Sequence, residues 1–195
     1  MAESRARLLL LAPLLVLLLG TRAGHFGALP DASWAVFFLA GFYLRGAQAL
    51  SFPLLMAAAV LADWWAIRAQ GLDFFAHYCV SPAYAFLVPA YGSLSVAGAW
   101  LGRRAAGDPR RALRLLPLAL PAGVGVCFLI SNGSFYWLSG RVPAATLPGW
   151  LENLAQWFPP YLATAAAYVA LAAIVHALAL PLRARLPAAL RATRS

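Results

Sequence analysis

Apolar residues in this chain come in long blocks, and short polar breaks separate them. A helix that crosses a bilayer needs roughly 20 mostly apolar residues, and flanking polar groups or local thinning accommodate shorter ones. Six blocks meet that description: 6–20, 32–44, 50–67, 82–102, 113–131 and 161–182. Prolines inside the third, fourth and fifth predict kinks rather than ends, because neighbouring membrane helices can satisfy the freed carbonyls. The first block also reads as a cleavable signal peptide, with arginines before a leucine run and "TRAG" after it. The later spans, however, need a start on the inner side, which favours its retention.

The expected fold class is therefore an all-α integral membrane protein of six transmembrane helices forming one membrane-embedded domain over 1–195. Six spans put both termini on one side. That side would carry Arg5, Arg7, Arg45, Arg103, Arg104, Arg110, Arg111, Arg114, Arg183, Arg185, Arg191 and Arg194, against Arg22, Arg68 and Arg141 on the other. Twelve against three is a strong positive-inside bias, so both termini are expected to be cytoplasmic. The three outer connections are then 21–31, 68–81 and 132–160. The last is the longest, rich in aromatic, amide and hydroxyl groups, and reads as a functional loop or as an interfacial helix with an aromatic belt.

Composition agrees. The chain is 63% hydrophobic and 11% charged, where a soluble domain carries about 25% charged residues. The net charge of +9 comes from arginines lying between apolar runs, the pattern of membrane orientation rather than of nucleic-acid binding. No lysine is present, so the phosphate-gripping residue of a P-loop is missing and the chain is not expected to hydrolyse ATP by itself. Two cysteines without CxxC spacing support neither a disulfide framework nor a thioredoxin-like motif.

Candidate chemistry gathers on the outer side. "FFAHYCVSPAY" (74–84) places His77 two residues from Cys79 just before the fourth span, and His25, Asp31, Asp73, Tyr78, Tyr84 and Arg141 fall on the same face. Cys79 could be a nucleophile activated by imidazole or a soft metal ligand; it could equally be a small packing residue. His25, His77, Cys79 and Asp73 could together supply the four ligands of a zinc site. Asp63, late in the third span, is an ionisable group within a membrane segment and a functional candidate for that reason; pairing with Arg68 is the competing role. His176 in the sixth span is expected to make a buried helix–helix hydrogen bond, and Cys127 to pack.

With "DASWAVFFLAGFYLRG" (31–46), "LADWW" (61–65) and "HYCVSPAY" (77–84) in this order, the chain resembles the membrane-embedded substrate-binding (S) components of energy-coupling-factor (ECF) vitamin transporters, in particular the BtuM-like, cobalamin-specific branch. The resemblance implies six helices with the binding site at the outer face, in a multi-pass protein of the bacterial inner membrane. It implies that a Cys79 thiolate ligates the cobalt of cobalamin, the nucleotide base being displaced, and that cyanide could be removed from the opposite face of cyanocobalamin. Cobalamin is thus the implied substrate and cobalt-containing group. Cys79 is the candidate catalytic residue and metal ligand. Cys79, His25, His77, Tyr84, Asp63, Arg141, Asn132 and Asn153 are the candidate substrate-binding residues, with Gln156 a further group for the amide rim. The 132–160 connection is the only one long enough to enclose such a ligand.

The implied partners are cobalamin, the lipid bilayer and an ECF coupling subunit with its ATPases. The A-x-x-x-A face that such docking uses is met in the first helix only by Ala2 and Ala6, before the apolar run. This leaves open action without a coupling module, or coupling through Ala166 and Ala170. Two other readings of the residues stay open: an outer-face thiol or metal-dependent membrane enzyme, and a sensory or structural membrane domain.

Overall fold

Six α-helices and one short 3-10 helix make up the computed structural model, which describes residues 9–22 and 29–185, and of 179–185 the backbone alone. The helices are α1 (Leu11–Arg22), α2 (Ser33–Tyr43), α3 (Gln48–Ala69), α4 (Leu87–Ala105), α5 (Pro109–Leu138) and α6 (Leu147–Arg185), with the 3-10 helix Pro82–Phe86 leading into α4. The described residues contain no strand. Four helical stretches are long and apolar enough to cross a membrane: Gln48–Ala69, Pro82–Ala105, Pro109–Leu138 and Leu147–Leu178.

The first two expected spans differ from this. As described, α1 has 12 residues and α2 has 11. At 1.5 Å per residue these rise about 18 and 16 Å, well short of a hydrocarbon core of about 30 Å. Helix α2 need not span by itself, because it is enclosed by the rest of the bundle. Every residue from Ser33 to Gly41 is buried. Helix α1 lays Leu11, Leu14 and Leu18 into the same core.

Glycines set how closely α2 and α4 approach. A Cβ at Gly98 would collide with the carbonyl oxygen of Phe38, and one at Gly41 with that of Ser95. Bare backbone on each helix meets backbone on the other, the close crossing that small residues permit in membrane proteins. Polar groups pin the crossing, since Ser95 Oγ donates to the Phe37 carbonyl at 3.2 Å and Arg45 Nη1 to the Gly102 carbonyl at 2.6 Å. On the far side of α4 lies α5, so the order α2–α4–α5 forms the centre of the bundle. Outward positions on α3 and α6, such as Leu61, Trp65, Leu171, Ile174 and Val175, are apolar and exposed, as a lipid-facing surface requires.

The turn between α4 and α5 follows from its sequence. Ala106 and Gly107 take positive φ, and Asp108 caps α5 by accepting from Arg110 N at 2.9 Å, with Pro109 in the first turn. These residues satisfy the orphan N–H groups of a helix start without a clash.

The expected 132–160 loop is largely helical. Residues 132–138 are the last turns of α5 and 147–160 the first turns of α6, which leaves a connection of only 139–146. Gly140, at φ 69°, ends α5. Thr146 caps α6, its Oγ1 accepting from Gly149 N at 3.3 Å. Helix α6 runs on through Pro159 and Pro160, where the sequence suggested a new start. Its 39 residues rise about 58 Å, so one end must project beyond a bilayer core.

Candidate functional site

The end of α1, the start of α2, the end of α3, the 3-10 helix and the α5–α6 hairpin converge at one end of the bundle and line a half-open cavity of about 660 Å³. That volume lies within the range of about 300–1,000 Å³ usual for small-molecule sites. Its walls carry Trp34, Tyr84, Tyr91, Phe128, Trp157 and Tyr161, together with Cys79 and His77. Trp34 stacks on Tyr161 with ring centroids 4.8 Å apart, and Phe128 meets both rings. This makes one wall a rigid aromatic face.

Arg22 organises the floor. Its Nε and Nη2 donate to Asp63 Oδ1 and Oδ2 at 2.7 and 2.8 Å, a bidentate pair. Its Nη1 lies within reach of Asp31 Oδ2 (3.1 Å), Ser33 Oγ (3.0 Å) and the Tyr91 hydroxyl (2.8 Å). Tyr84 OH adds a 2.6 Å bond to Asp63 Oδ2. Asp31 Oδ1 accepts from the backbone N–H of Ser33 at 2.9 Å, at the start of α2. One guanidinium thus ties α1, α2, α3, α4 and, through Asp63, the 3-10 helix. The planar fork of arginine suits this task, since five N–H groups in fixed geometry serve several acceptors at once. Its place at the C-terminal end of α1 also suits a cation.

Asp63 is therefore not paired with Arg68, as the sequence alternative had it. Arg68 lies 3.8 Å from Asp73 instead, and both are exposed. Arg22 is the residue that sequence reasoning missed. Its signal was present: it is one of only three arginines on the sparsely charged side, and it closes an apolar run. A cation at such a position needs an acidic partner, and Asp31 and Asp63 were the acidic residues nearest to the spans on that side.

Cys79 is half-buried and free of any disulfide. Removal from water pushes its thiol pKa above the usual cysteine value; a hydrogen bond with the Tyr78 side chain partly offsets the shift. Burial disfavours the thiolate, so at neutral pH the group is a thiol. His77 does not act as its base through Nδ1, which accepts from the backbone N–H of Cys79 at 3.4 Å. Among the described residues no three His, Cys, Asp or Glu side chains come together as a metal cluster. The zinc set of His77, Cys79 and Asp73 is thus not assembled by the described residues, and its fourth member, His25, lies outside them.

Of the other candidates, Tyr84, Asp63, His77, Asn132 and Asn153 line the cavity with Cys79. Arg141 lies in the exposed 139–146 turn and does not line it, and Gln156 is exposed on α6. His176 is exposed rather than buried, although it does link helices, its Nδ1 lying 3.3 Å from the Tyr43 hydroxyl of α2. Cys127 is fully buried in the core, as expected.

No protein-family model matches the chain, and neither does any curated protein. The functional reading therefore rests on the residues and on the cavity.

Proposed function

We propose that the chain binds cobalamin and takes part in its uptake across a bacterial inner membrane, as an S component of the ECF type, with the Cys79 thiolate as ligand to the corrin cobalt. The observation that carries this reading is a single free cysteine on the wall of an aromatic, amide-bearing cavity at the end of a helical bundle. A bare transition-metal ion asks a protein for three or four ligands. A metal already held by four macrocycle nitrogens asks for one, and one soft thiolate is what this wall offers. Aromatic rings suit the faces of the corrin, and Asn153 suits its rim of amides.

The protonated state of Cys79 fits removal of cyanide without an outside redox partner. As sulfur binds trivalent cobalt it gives up its proton. The cobalt–carbon bond opposite breaks with both electrons on cyanide, and the proton leaves with it as HCN. Cobalt stays trivalent throughout.

A thiol hydrolase or transferase is less well supported, because Cys79 is raised rather than lowered in pKa by its burial and the nearest imidazole nitrogen is engaged by backbone. For partners, Ala166 packs against the core and Ala170 is exposed, so these two residues do not together form an open small-residue face for a coupling subunit. The Ala2/Ala6 pair lies outside the described residues. Uptake through binding and conformational change of this chain alone, within the lipid bilayer, is the simpler form of the proposal.

The test is the visible spectrum of detergent-purified protein mixed with cyanocobalamin and freed of unbound ligand, beside Cys79→Ser. Retained corrin with shifted bands in the wild type, lost in the variant, is the expected result. If the wild type retains no corrin, the proposal fails.

A further inference from the structure

The polar groups on the α5–α6 wall form a chain of hydrogen bonds that runs in one direction. Trp150 Nε1 donates to Asn132 Oδ1 at 3.1 Å, and Asn132 Nδ2 donates to Asn153 Oδ1 at 2.6 Å. An indole N–H can only donate. It therefore decides which end of the Asn132 amide is the carbonyl, and that choice turns Nδ2 towards Asn153. Asn153 must answer with its own carbonyl. What remains of its amide is the NH₂ group, which donates to no protein acceptor among the described residues, while the residue itself lines the cavity. The start of the chain is also fixed in space. The Trp150 ring lies against Gly133, where a Cβ would sit 3.4 Å from Cζ2, and its edge meets Trp137 with centroids 6.2 Å apart.

We propose that Asn153 is a dedicated hydrogen-bond donor to the ligand and selects an acceptor oxygen at that point of the cavity, with Trp150 and Asn132 as positioning residues that fix its polarity. The inference rests on the cobalamin reading, in which the acceptor is the carbonyl oxygen of a corrin-rim carboxamide. A carboxylate at the same rim position would satisfy the site at least as well, because a charged acceptor makes the stronger bond.

The substitution Asn153→Asp separates this from a structural role. Asp keeps the oxygen that accepts from Asn132, so the α5–α6 link survives, but the group facing the ligand changes from donor to acceptor. The probes are cyanocobalamin and its rim monocarboxylates, each with one amide replaced by an acid, titrated by absorbance into detergent-purified wild type and variant. Wild type is expected to bind at least one monocarboxylate as tightly as cyanocobalamin. Asn153→Asp is expected to weaken cyanocobalamin about tenfold and that monocarboxylate by at least a further tenfold, with the Cys79-dependent band shift intact at saturation. If the wild type binds cyanocobalamin but Asn153→Asp matches it within twofold, this inference is overturned and the cobalamin reading stands. If every monocarboxylate binds wild type more weakly than the parent, the inference is overturned without recourse to any variant. If wild type binds no corrinoid, the cobalamin reading falls and takes the inference with it.

Discussion

Replacing Arg22 by methionine tests the proposed architecture of the site most directly. The side chain is 6% exposed, and its partners Asp63 and Asp31 are 15% and 24% exposed. Removing one partner of a buried ion pair typically costs about 3–5 kcal/mol, most of it from the charge left behind. Here two carboxylates are left behind. Asp63 loses a bidentate pair and contributes most of the loss; Asp31, more exposed and still bonded to Ser33, contributes less. The expected loss for Arg22→Met is therefore about 3–5 kcal/mol. The assay is reversible unfolding in mixed micelles with rising dodecyl sulfate, followed by tryptophan fluorescence. Adding Asp31→Asn and Asp63→Asn to Arg22→Met should recover more than half of the loss, because no unpaired charge then remains. A cost below about 1 kcal/mol for the single variant, or no recovery in the triple variant, would show that Arg22 is not the tie that the geometry makes it.

Two further outcomes can be checked by simple means. Gly98→Ala should destabilise by about 2 kcal/mol or more in the same unfolding assay, because the added Cβ meets the Phe38 backbone rather than a side chain that can move; Gly125→Ala, with nothing within 4 Å, should be neutral or stabilising by up to about 1 kcal/mol, and equal effects would refute the close-crossing argument. The alkylation rate of Cys79 by iodoacetamide should rise about tenfold per pH unit through the usual cysteine pKa of ~8.5 and level off only above it, since burial raises the pKa of this thiol. The same shift adds stability at low pH that is lost as pH rises through the folded-state pKa. A plateau at or below the free-thiol value would contradict it.

The apolar blocks gave the number of helices, because each block long enough to bury itself must close its backbone hydrogen bonds internally. They did not give helix lengths. The "PP" at 159–160 and the amide, glycine and serine at 132–134 look like loop chemistry, yet both lie within helices. The signal for the true start of α6 was Thr146 followed by Leu147 and Pro148, a capping residue with proline in the first turn. It was outweighed by the polar composition around it. For the site, the grouping of Asp31, Asp63, Cys79 and Tyr84 at one end was legible, because charge bias fixed which connections share a side. Partner choice was not. Arg68 is nearer to Asp63 along the chain than Arg22, but five residues of helix turn the two side chains about 140° apart, and the buried fork of Arg22 satisfies the carboxylate where the exposed Arg68 would leave it half-solvated.

The two sides of the cavity differ in what it costs to move them. Displacing α1, α2 or α3 breaks bonds of Arg22, a buried charge with five acceptor atoms in reach. The segment that carries Cys79 is held otherwise. Asp73 Oδ1 accepts from the N–H groups of Phe75 and Ala76, His77 N donates to the Phe74 carbonyl, and Val80 N donates to the His77 carbonyl. All these bonds are local turns, and the links to the bundle are the buried Phe74 ring against Tyr84 and the exposed 3.8 Å contact of Asp73 with Arg68 of α3. Turn bonds exposed to water contribute about 1 kcal/mol or less each, because water replaces them readily. On the cobalamin proposal, a ligand that drew the thiol inward would move this segment at much lower cost than it would move a helix. The site would then combine a thiol on an adjustable strap with a floor held by Arg22, an arrangement able to seat a bulky ligand and bring sulfur to bonding distance.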